Sequence, residues 1–127
     1  MKAVTDEIYT PTEEDHLQGK PENSIQLYED YKQAILNFTD SIEIKPKNRV
    51  IGFFRNGKVF CDICIQKSSL KIWINLKRGM LNDPKKIMRD ISSIGHWGNG
   101  DYEIQVQTTE ELEYIMSLIK QAVEITN

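Results

Sequence analysis

The chain has 127 residues, of which 39% are hydrophobic and 28% charged. This is ordinary for one soluble globular domain and excludes collagenous, low-complexity and wholly disordered classes. No apolar run approaches the roughly 18 residues of a membrane span, and the first residues lack the apolar core of a secretory signal. We therefore expect a cytoplasmic protein that stands alone from its own Met1. Its two cysteines, Cys61 and Cys64, are too few for a disulfide scaffold.

Charge is segregated along the chain, although the net charge is only -3. Residues 1–44 carry three basic and ten acidic residues, residues 45–89 carry twelve and two, and residues 90–127 carry one and seven. A local positive field attracts an anionic partner even when the whole chain is mildly acidic. Two interpretations stay open: the basic middle pairs with the acidic ends inside the fold, or it meets such a partner.

The N-terminal half is predicted to begin with an irregular arm. Residues 1–23 show little periodicity, and a single domain is expected over 24–127. From Ser24, apolar residues recur at intervals of three and four, which predicts a helix that ends near Thr39. Asn23 or Ser24 is the expected N-cap. The apolar face of this helix consists of Ile25, Tyr28, Tyr31, Ile35 and Phe38.

Four strands are predicted next, over residues 41–45, 49–54, 58–66 and 70–76. Asn56-Gly57 is typical of a two-residue hairpin turn between the second and third strands. In the third strand, alternation places Cys61 on an aliphatic face and Phe60 on the opposite face. The fourth strand alternates in the same way, so we expect helices to cover the aliphatic face.

The C-terminal third is predicted to contain two helices and one strand. Asp83-Pro84 is typical of a helix start, which predicts a short helix over 84–92 with its cations outward. A glycine-rich run, GHWGNGD (95–101), precedes a strand over 102–107. Thr108 with Glu111 fits a capping box that opens a final amphipathic helix. The predicted class is α+β: an antiparallel meander of about five strands with helices packed on one face.

Cys61-x-x-Cys64 matches the spacing of a redox or zinc motif, but its context is wrong. A redox pair needs its nucleophilic thiol near a helix N-terminus, whereas these cysteines lie in a strand and point to opposite faces. Zinc needs about four ligands, and the chain has only His16, on the arm, and His96. We expect half-buried structural cysteines, no metal and no cofactor.

The glycine-rich loop allows three interpretations. It lacks the spacing of a phosphate-binding loop, and a strand follows it where those motifs require a helix. The favoured interpretation is a structural turn fixed by packing of His96 and Trp97. Binding is the second. Catalysis by His96 with Asp101 or Glu103 is the third, although no nucleophile accompanies them. We therefore do not expect an enzyme.

Basic residues interleaved with aromatic ones form the remaining pattern. Sheet faces that combine aromatic and cationic side chains stack the bases of single strands in several folds, and a basic helix nearby contacts phosphates. The alternative is that Phe60 and Trp73 are covered and the lysines are simply solvated. The residues that would carry binding are Lys71, Trp73, Lys77, Arg78, Lys85, Lys86 and Arg89.

One stretch resembles a known family. The run Ile94-Gly95-His96-Trp97-Gly98-Asn99-Gly100-Asp101-Tyr102-Glu103 is similar to the hallmark of the bacterial and archaeal domain of unknown function numbered five-six-five-five, often labelled "predicted transport protein". Weaker matches extend over roughly residues 8–124. The resemblance implies no catalytic residues. Because some members are modules of larger proteins that resemble modification-dependent restriction nucleases, it implies a module that works beside a nuclease or nucleic acid.

Two function classes follow, besides the enzyme. The first is a non-enzymatic binding module whose basic segment, residues 45–89, contacts nucleic acid or an acidic protein. The second is a protein–protein or homo-oligomerisation module that uses the glycine-rich loop, with Trp97 as its anchor. Salt-dependent binding of nucleic acid would distinguish them.

Overall fold

The computed structural model describes residues 11–95 and 98–126. Within these ranges the chain forms three helices, α1 (Glu13–Leu17), α2 (Glu22–Leu36) and α3 (Leu112–Glu124), and six strands. The strands are β1 (Ile42–Pro46), β2 (Ile51–Arg55), β3 (Lys58–Ile65), β4 (Leu70–Ile74), β5 (Arg89–Asp90) and β6 (Tyr102–Val106). They pair antiparallel in the order β1-β2-β3-β4-β6-β5, which confirms the predicted α+β class. The meander ends at β4, because β6 lies between β4 and β5.

The predicted helix starts were placed wrongly. The arm contains α1, which a capping box between Thr12 and Asp15 stabilises. Helix α2 begins two residues earlier than predicted, without a side-chain cap, and Ser24 is buried inside it with its hydroxyl donating to the Lys67 carbonyl. Thr108 accepts a hydrogen bond from the Glu110 amide instead of capping α3, which therefore begins only at Leu112.

The short helix predicted over 84–92 is absent. Residues 77–88 are instead an irregular loop, and the chain then enters β5. Side chains of α3 hold this loop: the Tyr114 hydroxyl donates to Asp83 and accepts from the Lys85 amide, and Gln121 bonds both backbone groups of Asn82. Tertiary hydrogen bonds thus override the local Asp-Pro signal.

The hairpin at Asn56-Gly57 forms as predicted, with φ of 53° and 77° at its two residues. In β3, the alternation of side chains between the two faces of the sheet is interrupted at Phe60. Phe53 pairs with Cys61 but Phe54 pairs with Val59, so Phe60 is an extra residue, a β-bulge. The bulge turns Phe60 into the same core as Cys61, where both are fully buried.

The two faces of the sheet differ in what covers them. Helices α2 and α3 pack on one face and bury Tyr28, Tyr31 and Ile119 against Ile63 and Ile72. No described helix packs on the other face, which we call the open face. There a small second cluster forms from Val50, Trp73 and Ile91, with Cys64 against it. None of the described helices is long and apolar enough to cross a membrane.

Candidate functional site

A row of paired residues crosses the open face. In antiparallel pairing, residues directly opposite each other project to the same side of the sheet. Six such residues, one from each strand, are in register, which places the acidic, aromatic and basic members of the row on one surface. In sheet order they are Lys45, Gly52, Asp62, Trp73, Glu103 and Arg89.

The glycine-rich loop closes over the middle of this row. A Cβ at Gly98 would lie 2.2 Å from Cδ2 of Trp73, so the loop backbone rests directly on the indole. A Cβ at Gly100, whose φ is +87°, would lie 2.2 Å from the carbonyl oxygen of Ile74. Only glycine fits these two approaches. Trp73 is 2% exposed, and one face of its ring is unavailable for stacking on a base.

Asp62 anchors the same loop. Its Oδ2 accepts hydrogen bonds from the backbone and the side-chain amide of Asn99, at 2.8 and 2.9 Å. Burial raises the pKa of the Asp62 carboxyl, although the Asn99 bonds and the charge of Lys47 partly oppose the rise. Asp62 Oδ1 and Trp73 Nε1 are buried and have no hydrogen-bond partner among the described residues.

Beside the loop lies a cavity of about 530 Å³. Trp73, Ile91 and Ile94 supply its apolar lining, while Lys71, Arg89 and Glu103 supply charge. Glu103 is only 7% exposed, and its carboxylate lies 3.5 Å from the Arg89 guanidinium. The volume falls within the usual range of small-molecule sites, and the few polar groups converge on an apolar wall.

A second group of cations lies at the other end of the open face. The ammonium groups of Lys45 and Lys47 lie 4.6 and 5.2 Å from the centre of the Phe54 ring, which is half-buried. No described carboxylate pairs with Lys45, Lys47 or Lys71. The sequence-based list does not contain Lys45, Lys47 and Phe54. Alternation in the first predicted strand indicates an outward Lys45, whereas Lys47 lies between the first two predicted strands and Phe54 in an apolar run, where alternation gives no signal.

The seven residues predicted to bind do not form one surface. Lys71, Trp73 and Arg89 meet at the cavity. Lys77, Arg78, Lys85 and Lys86 belong to the loop that α3 holds. There Lys85 pairs with Glu111 at 3.1 Å, and Arg78 pairs with Asp90 at 3.4 Å. The basic segment is therefore divided between the open face and the α3 side of the sheet.

The other sequence candidates are only partly placed. His96 and Trp97 lie outside the described residues; Gly95, next to them, lines the cavity. Cys61 and Cys64 point to opposite faces as predicted, but Cys61 is fully buried rather than half-buried. Burial raises the pKa of both thiols. The described residues contain no group of three or more His, Cys, Asp or Glu side chains fit to hold a metal.

The described carboxylates of the acidic arm make their contacts outside the cavity. Glu13 accepts from the Tyr28 hydroxyl at 2.6 Å and pairs with Lys32 at 2.9 Å, which joins α1 to α2. His16 Nε2 lies 2.5 Å from the Lys47 carbonyl oxygen. These contacts attach the arm to the end of the sheet at the β1–β2 turn, and its described carboxylates do not neutralise Lys71 or Arg89.

The fold and this face define a small α+β domain with one helix-covered and one open sheet face. By comparison with known proteins, the chain belongs to the family of the domain of unknown function DUF5655, which it matches over residues 13–126. It is 49% identical over 122 residues to an uncharacterized protein of Haemophilus influenzae. That alignment covers 96% of this chain but only 40% of the relative. No solved structure matches the chain.

Proposed function

We propose that this domain binds single-stranded nucleic acid on its open face. The observation that supports the proposal is an excess of unpaired positive charge there. Lys45, Lys47 and Lys71 have no described carboxylate within 4 Å. Three acids share the face with them: Glu43, which is exposed and lies opposite Phe54, and Asp62 and Glu103, which are buried. Glu103 pairs with Arg89, and Asp62 accepts two hydrogen bonds from Asn99.

The dimensions of the face suit a short strand. Lys45 and Arg89, at the two ends of the row, are separated by five gaps between strands, each about 4.8 Å wide, and so lie roughly 24 Å apart, with the glycine-rich loop between them. Several nucleotides extend over such a length, within the roughly 4–16 nucleotides that single-strand-binding sheet domains cover. Phe54 offers an aromatic surface among the cations. Trp73 does not, because Gly98 covers one face of its ring.

The test compares two variants that lose the same number of charges. In the open-face variant, Lys45, Lys47, Lys71 and Arg89 become Gln; in the loop variant, Lys77, Arg78, Lys85 and Lys86 become Gln. Both are checked for folding by circular dichroism. Binding of labelled 12-nucleotide single-stranded DNA and RNA is measured by fluorescence anisotropy between low and near-physiological salt.

Phosphate contacts by Lys45 and Lys47 predict a log–log salt slope of about -1.4 for the wild type, since each contact to a single strand contributes about -0.7. We expect the open-face variant to lose most of its affinity and this slope, and the loop variant to retain both. The reverse pattern would place the interface on the α3 side. Equal binding by all three proteins, or none by the wild type, would refute the proposal.

A further inference from the structure

We propose that the cavity beside Trp73 accepts one unstacked guanine base of the bound strand. This inference rests on the proposed function and adds the base that the site selects. It concerns the side chains that converge at the cavity: Glu103 as hydrogen-bond acceptor, Arg89 and Lys71 as donors. The cavity would hold the base, while Lys45 and Lys47 at the far end of the face would contact the backbone.

The carboxylate of Glu103 is the group that selects guanine over the other bases. It is 7% exposed, and the Arg89 guanidinium lies 3.5 Å away, so it is a nearly buried hydrogen-bond acceptor beside a charged partner. The Watson–Crick edge of guanine carries two adjacent donors, N1–H and the N2 amino group, which match the two oxygens of one carboxylate. Arg89 and Lys71 then donate to O6 or N7, the acceptors that Arg and Lys commonly read in guanine.

The other bases fit this arrangement less well. Adenine presents an acceptor, N1, beside its amino group, and cytosine presents N3 beside its amino group, so each offers the carboxylate one donor and one repulsive lone pair. Thymine and uracil offer a single N–H between two carbonyl oxygens. Only guanine donates to both carboxylate oxygens. The other bases would leave a buried oxygen unpaired, and the free-energy cost of that lost hydrogen bond makes such a site selective.

The walls of the cavity suit a flat ring. Ile91 is buried, Ile94 is 47% exposed at the rim, and both are apolar. Trp73 also lines the cavity, and its indole N–H has no acceptor among the described residues. A purine placed here would exchange water for apolar contact on its faces and keep hydrogen bonds along its edges.

The experiment measures anisotropy with labelled oligo-dT 12-mers that carry one central guanine, inosine, adenine or no substitution. For the wild type we expect about tenfold tighter binding with guanine than with adenine. Inosine, which lacks the N2 amino group, should be intermediate. Glu103→Gln replaces one carboxylate oxygen by a donor and should abolish the preference. Glu113→Gln, on the exposed side of α3, removes the same charge and should preserve it.

The outcomes separate the two proposals. Wild-type binding without a guanine preference, or a preference that survives in Glu103→Gln, overturns the guanine site and leaves strand binding intact. If no oligonucleotide binds, the proposed function fails. Titration with GMP and AMP then tests separately whether the cavity binds guanine. The readout is the indole N–H signal of Trp73 in NMR, assigned with Trp97→Phe. A shift with GMP but not AMP retains the guanine site; no shift with either overturns it.

Discussion

Replacing Gly98 by Ala should destabilise the domain. The described part of the glycine-rich loop has one other glycine without a positive φ, Gly95, and replacing it should destabilise the domain less. A Cβ at Gly98 would lie 2.2, 2.3 and 2.6 Å from three atoms of the Trp73 indole, whereas ordinary contacts begin near 3.4 Å. Either the indole or the loop must therefore move by more than 1 Å. The indole is 2% exposed and packs between Val50 and Ile91, so the loop is the part that can yield.

The cost follows from what the loop loses by moving. Overpacking costs about 1–3 kcal/mol, and each hydrogen bond to the Asp62 carboxylate that breaks adds up to about 1.5–3 kcal/mol. We expect a loss of about 2–4 kcal/mol. For a domain of this size, that lowers Tm by roughly 6–15 °C.

The matched control is Gly95→Ala in the same loop. No atom of the described residues lies within 4 Å of a Cβ there, so the stability of this variant should stay within about 0.5 kcal/mol of the wild type. Urea unfolding and calorimetry of the three proteins measure the difference. If Gly98→Ala unfolds within about 2 °C of Gly95→Ala, the loop does not rest on Trp73 and the description of the open face is wrong.

Three further predictions test the same structure. Asp62→Ala leaves the Asn99 donors unpaired and should cost about 1–3 kcal/mol in urea unfolding, whereas Asp62→Asn keeps an acceptor and should cost less than 1 kcal/mol at pH 7. Because the folded-state pKa of Asp62 is raised, the folded state holds its proton to higher pH than the unfolded chain. The wild type should therefore gain stability relative to Asp62→Asn as pH falls from 7 to 4. At Glu13, burial raises the pKa, but the Tyr28 and Lys32 bonds outweigh it and the net pKa is lowered. The advantage of the wild type over Glu13→Gln should therefore be present near neutral pH and be lost as pH falls below about 4.5; equal acid curves would contradict this. Tyr114→Phe removes the bond to Asp83 and should speed amide exchange in residues 83–88 while leaving β3 unchanged.

Much of the sheet was predictable, because local chemistry determines it. Alternation locates four of the strands and a short apolar run locates β2, each within a few residues. Asn56-Gly57 predicts the hairpin because both residues accept positive φ. The errors occurred where distant contacts decide. The bulge at Phe60 depends on register with β2, and no local pattern indicates it. The loop before β5 is held by Tyr114, about thirty residues away in the chain.

The candidate site was only half predictable for the same reason. Lys71, Trp73 and Arg89 were chosen as basic or aromatic residues, and the fold does bring them together at the cavity. The sequence indicates Glu103 only as an acid–base partner of His96 in an enzyme. Its role at the cavity depends on the order β4-β6-β5, which sets it between Trp73 and Arg89. Strand order is a property of the whole chain, and alternation along one strand does not encode it.

The residues of the glycine-rich loop and the charged residues at the cavity differ in the contacts that they make. Gly98, Asn99 and Gly100 are all accounted for by close packing on Trp73, hydrogen bonds to Asp62 and a tight approach to β4. These contacts hold the loop to the sheet, which supports the structural interpretation for residues 98–100 of the loop. Lys45, Lys47 and Lys71 do not take part in these contacts, and neither does the Glu103–Arg89 pair at the cavity. All five residues lie on the open face, and the proposed binding depends on them.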